Sequence, residues 1–124
     1  MTGELILIIE DNDKNLKLVR DVLRFNGYET AEAMTAEDGL LLARSQRPVL
    51  ILMDIQLPGM DGFAALRRLR ADPITKSILV IAVTASAMER DRQKILEAGF
   101  DGYMTKPIQV KTFVEEIRTV LAKR

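Results

Sequence analysis

The stretch VLILMDIQLPGMDG, residues 49–62, decides the fold. Its apolar residues run unbroken from Val49 to Met53, the pattern of a strand buried on both faces, and such strands belong to parallel sheets covered by helices on either side. The run stops on a carboxylate, Asp54, and turns through Pro58 and Gly59. Asp61 then stands where a helix N-cap belongs, ahead of an apolar stripe at Phe63, Leu66 and Leu69. A strand buried on both faces that ends on a charge raises the question of what the charge is for.

Outward from this stretch, the same alternation fills the chain. Leu5 to Ile9, Ile78 to Val83 and a weaker Phe100 to Met104 read as further strands, and the half-polar Tyr28 to Ala33 as an edge strand. Helical stripes lie between and after them: Leu16, Val19 and Leu23; Leu40 and Ala43; and Val110, Phe113, Val114, Ile117 and Leu121. The helix expected over Ser86 to Ala98 has the weakest stripe, with Met88 and Ile95 separated by Arg90, Asp91 and Arg92. Gly27 and Gly99 sit where helix C-caps belong, Thr35 with Asp38 and Ser86 with Glu89 resemble capping boxes, and Asn12 or Asp13 can cap the first helix. Strands and helices in strict alternation predict a parallel α/β sheet with helices on both faces. The 124 residues are expected to form one domain, 1–124, with no output domain.

Composition narrows the chemistry. Eighteen basic and eighteen acidic residues give no net charge, so no global field favours nucleic acid or an anionic membrane. The chain has no cysteine and no histidine, which removes thiol chemistry, thiolate metal sites and the usual general base. Arg67, Arg68 and Arg70 share a helix with the Phe63 stripe and read as a solvated face, and the Met residues as core filler. No apolar run approaches the roughly 18 residues of a membrane span, and a cytoplasmic protein is expected.

The other central strands also hand over to polar groups: the first to Glu10 and Asp11, the fourth to Thr84, the fifth to Lys106 and Pro107. Open parallel sheets bind ligands outside the carboxyl ends of their strands, where the strand order reverses. Three carboxylates and one ammonium meeting there carry two excess negative charges, and hard oxygen donors with no His or Cys suit Mg²⁺. A phosphoryl group is then the natural substrate: Mg²⁺ and Lys106 neutralise its oxygens, Thr84 donates a hydrogen bond, and Asp54 is the nucleophile that forms an aspartyl phosphate.

With IIEDN after the first strand, LMDIQLPGMDG after the third, VTA after the fourth and GFDGYMTKPI at the fifth, the chain resembles the receiver domain of two-component response regulators over nearly its whole length. The resemblance implies a flavodoxin-like doubly wound sheet in the order 2-1-3-4-5. It implies that Glu10, Asp11, Asp54 and the backbone carbonyl of Gln56 hold Mg²⁺, and that Asp54 accepts phosphate from a sensor histidine kinase or phosphotransfer protein. Thr84 would bind the phosphoryl group, Lys106 would pair with it, Tyr103 would change rotamer as the switch, and the Lys106–Pro107 bond would be cis. Output would pass to a downstream protein through the face made by the Ser86 to Ala98 helix, the fifth strand and the last helix. The chain would be a phosphoacceptor with only self-directed phosphotransfer and autodephosphorylation, similar to the stand-alone cell-division regulators. A receiver cut from a larger regulator or hybrid histidine kinase would look alike. A Mg²⁺-dependent phosphatase with an aspartate nucleophile needs a second carboxylate two residues on, where Gln56 stands. A flavin carrier needs a Ser/Thr/Gly-rich loop where the sequence reads EDNDKN.

Overall fold

A computed structural model describes residues 3–123. Five strands and five helices alternate: β1 (Leu5–Ile9), α1 (Asp13–Phe25), β2 (Glu29–Ala33), α2 (Ala36–Gln46), β3 (Leu50–Asp54), α3 (Gly62–Ala71), β4 (Leu79–Thr84), α4 (Glu89–Ala98), β5 (Gly102–Thr105) and α5 (Val110–Leu121). All strand pairs are parallel and the order is β2-β1-β3-β4-β5, the flavodoxin-like arrangement. Both edges fall where the sequence is least apolar, at β2 and β5.

Because side chains alternate across a strand, the sheet divides the interior into two cores. Ile6 and Ile8 of β1 and Leu50 and Leu52 of β3 pack with α1 (Leu16, Val19, Leu23) and α5 (Phe113, Ile117, Val120, Leu121). Leu7 and Ile9, with Ile51 and Met53, pack on the other side with α2, α3 and α4. Every residue of β3 is buried, which is why its sequence shows no polar alternation.

Helix boundaries follow from their caps. Asn12, Thr35 and Asp61 each accept a backbone N–H three residues on, from Asn15, Asp38 and Ala64. Gly99 closes α4 at φ +107°, a left-handed conformation that favours glycine. Four expectations need correction. Ser86 does not cap α4, because the helix starts only at Glu89, with Met88 at an N-cap position that has no side-chain hydrogen bond. The last strand starts at Gly102 rather than Phe100, which is a buried loop residue stacked edge-on against Phe63 with centroids 5.8 Å apart. Met34 and Met88 lie on the surface, whereas Met53 is fully buried.

Arg70 is the fourth. Its guanidinium does not simply face solvent: Nη1 donates to the carbonyls of Lys76 (2.9 Å) and Ile78 (2.7 Å), and Nη2 donates to Asp101 Oδ2 at 3.0 Å. The same Asp101 oxygen accepts the Val80 N–H at 2.9 Å, so one side chain ties α3 to the entries of both β4 and β5. Arg70→Ala is expected to cost about 2 kcal/mol in urea unfolding, because it leaves the partly buried Ile78 carbonyl without this donor and removes the ion pair with Asp101.

Candidate functional site

Each sheet strand except the edge strand β2 delivers at least one polar group to the same end of the molecule, and β1 delivers two, Glu10 and Asp11. Asp54 ends β3 in register with Val83, and Thr84 ends β4 in register with Thr105. Glu10 follows β1, and its backbone N–H donates to the Ala33 carbonyl at 3.0 Å, which continues the ladder for one more bond. The Lys106 N–H donates to the Thr84 carbonyl at 2.8 Å and sets the lysine beside that strand end. The Lys106–Pro107 peptide bond is cis.

The side chains converge. Lys106 Nζ lies 3.0 Å from Asp54 Oδ2 and 3.1 Å from Glu10 Oε1, bridging two carboxylates that are only about 5% exposed. Asp11 is solvent-exposed beside them, and one oxygen from each of Glu10, Asp11 and Asp54 lies within 4.8 Å of the others. Asp54 Oδ1 accepts the Gln56 N–H at 3.0 Å, and Glu10 Oε2 accepts the Asn12 N–H at 3.1 Å. These backbone donors fix both carboxylates, and nothing in the side-chain pattern marks them. Thr84 is buried, and its Oγ1 accepts the Ser86 N–H at 3.1 Å. Gln56 is exposed, on the loop that follows Asp54.

Gly62 holds that loop in shape. A Cβ on it would come within 2.9 Å of both the Asp54 carbonyl oxygen and Ile55 Cα, so only glycine lets the start of α3 press against the end of β3.

The charges explain the titration of the group. Burial raises the Glu10 pKa above the ordinary carboxylate value; the Asn12 N–H opposes this and the neighbouring Asp54 adds to it. Burial by itself would lower the Lys106 pKa, but the hydrogen bonds to Asp54 and Glu10 outweigh it and hold the ammonium charged. Both directions have one origin: two buried carboxylates share one cation. An all-oxygen cluster with surplus negative charge and one exposed member open to solvent fits a hard divalent ion such as Mg²⁺.

Tyr103 is half-buried on β5, and the Arg92 guanidinium carbon lies 5.7 Å from its ring centroid. Ser86 Oγ donates to Asp91 Oδ2 at 2.5 Å, and the sequence signals neither this bond nor the Arg92 contact.

A parallel sheet in this order, with an acidic cluster and a lysine at its carboxyl end, defines a receiver. The chain belongs to the response regulator receiver domain family, which matches residues 6–118. It is 45% identical over 116 residues to the polar-differentiation response regulator DivK of Brucella anthropi, the alignment covering 94% of each chain. The receiver domain of the sensor histidine kinase PA1611 from Pseudomonas aeruginosa, solved with a magnesium ion coordinated in its active-site cleft, superposes with TM-score 0.88 at 32% identity over 97% of this chain and 98% of that one. A CheY-like receiver domain protein from Methanospirillum hungatei superposes with TM-score 0.87 at 32% identity, covering 97% and 94%. This protein is thus a DivK-like receiver domain of two-component signalling, and among its described residues no helix is long and apolar enough to cross a membrane.

Proposed function

We propose that Asp54 accepts a phosphoryl group from a phosphohistidine on a sensor histidine kinase or phosphotransfer protein, and that the modified domain docks a downstream protein through the face of α4, β5 and α5. The observation that carries this reading is the Lys106 ammonium shared between Asp54 and Glu10 at adjacent strand ends. In the reaction an Asp54 carboxylate oxygen bonds to phosphorus while the P–N bond breaks. The electron pair stays on the imidazole nitrogen, which takes a proton from solvent. Lys106 turns from the carboxylate to the new phosphoryl oxygens, and the Thr84 hydroxyl donates to another. Glu10, Asp11, Asp54 and the Gln56 carbonyl would hold Mg²⁺, which supplies positive charge beside the transferring group.

The chemistry is self-directed, and transfer and hydrolysis both occur on Asp54, so the domain is a signalling element and not an enzyme acting on a free substrate. We place this chemistry in the cytoplasm, where kinases present phosphohistidine.

Incubation with acetyl phosphate and Mg²⁺, followed by intact mass, tests the reading. One added phosphoryl group, removed by hydroxylamine as an acyl phosphate must be, is the expected result. No label, or a label stable to hydroxylamine, rejects it. Asp11→Ala is expected to weaken Mg²⁺ binding in a calorimetric titration and slow the labelling. Without metal its stability should stay within about 0.5 kcal/mol of wild type, since the side chain is exposed.

A further inference from the structure

Three contacts around the first turn of α4 take no part in the phosphoryl chemistry, yet they run from Thr84 to Tyr103. The Ser86 N–H donates to Thr84 Oγ1 at 3.1 Å, and the Ser86 hydroxyl donates to Asp91 Oδ2 at 2.5 Å. Arg92, the next residue, lays its guanidinium over the Tyr103 ring at 5.7 Å. Arg92 Nη1 also donates to Glu89 Oε2 at 3.2 Å, so the guanidinium is held from within its own helix. Little else fixes this segment: α4 has one buried residue, Ile95, and no side-chain cap.

We propose that Ser86, Asp91 and Arg92 form a latch that holds Tyr103 and the start of α4 in the unphosphorylated arrangement, and so sets how far a phosphoryl group shifts the output face. The proposal rests on the reading of Thr84 and Tyr103 as the switch. When the Thr84 hydroxyl turns toward phosphoryl oxygens, Oγ1 leaves the Ser86 N–H. Ser86 is then free to move, and Asp91 and Arg92 move with the turn that carries them. Arg92 is a positioning residue, because it acts only through the tyrosine. Contacts made only in the unmodified state oppose the switch, and a ligand at Asp54 must overcome them through its own preference for the other state. A half-exposed cation–π contact corresponds to about a two- to fivefold change in that equilibrium.

The test is a titration with beryllofluoride in Mg²⁺, followed by NMR of the Tyr103 ring. Arg92→Ala is expected to bind the phosphate mimic about two- to fivefold more tightly than wild type. Arg92→Lys, which keeps a cation, should fall between the two. Ser86→Ala, which removes the hydroxyl bond to Asp91 and leaves the Arg92–Tyr103 contact in place, should also bind more tightly. A purely structural role, with the contacts made equally in both states, predicts lower stability in urea and unchanged affinity at Asp54. Unchanged or weaker binding in Arg92→Ala or Ser86→Ala overturns the latch and leaves the proposed function standing. A wild-type protein that does not bind beryllofluoride overturns the proposed function and the latch with it.

Discussion

Asp54→Asn is expected to show no mass gain after incubation with acetyl phosphate and Mg²⁺ under conditions that label the wild type fully. The amide oxygen is a far weaker nucleophile than a carboxylate, and no other carboxylate can take its place. Glu10 follows β1, one strand further from Thr84 than Asp54, which ends β3 beside β4, while Asp11 is exposed and has no backbone donor aimed at it. The variant should fold normally, so that the lost labelling reports chemistry. Asn can still accept the Gln56 N–H, Lys106 keeps Glu10, and one of two neighbouring buried charges has gone. Its unfolding free energy from urea titration should equal that of wild type or exceed it by about 1 kcal/mol. Residual hydroxylamine-labile label would move the nucleophile to another residue.

Lys106→Met carries the second large effect, on stability. Removing one partner of a buried ion pair leaves an uncompensated charge and commonly costs about 3–5 kcal/mol; because Lys106 is 22% exposed, about 2 kcal/mol is expected here without metal. The loss depends on pH with a definite sign. Burial, with the Asp54 charge, already raises the Glu10 pKa in the folded state, and loss of the ammonium pushes it further the same way. A carboxyl whose folded pKa is raised favours the fold at low pH, and that contribution disappears as pH rises through the folded pKa. The variant should therefore approach wild type in acid and fall furthest behind near and above neutral pH. The Lys106 pKa is raised in the wild type, so the wild-type pair stays intact across this window and fails only in strong alkali. Mg²⁺ should restore much of the loss at neutral pH by supplying the missing positive charge. A stability difference independent of both pH and Mg²⁺ would contradict this account of the site.

Most of the architecture was legible because burial on both faces leaves an unbroken apolar run, as at Leu50 to Met53, and nothing local imitates that. The acidic cluster was legible for a related reason: a charge directly after such a run is too expensive to be accidental. β5 was harder to read. Phe100 packs into the core from a loop, and an apolar residue buried without a ladder looks the same in sequence as one within a strand. Ser86 and Glu89 have capping-box spacing, but spacing does not say where the helix begins, and Asp91 offered the hydroxyl a charged acceptor. Arg70 and Arg92 were read from the polarity of their own helices. Their partners are backbone carbonyls, Asp101 and Tyr103, brought near only by tertiary packing.

The ion pairs at the heart of the site join residues far apart along the chain, Lys106 with Glu10 across 96 positions and with Asp54 across 52. A nascent chain still waiting for its last strand already carries the nucleophile but not the ammonium that completes the charge balance. Under the proposed function, a chain cut before β5 carries Asp54 and Glu10 without their shared cation, and it is expected to be a poor phosphoryl acceptor.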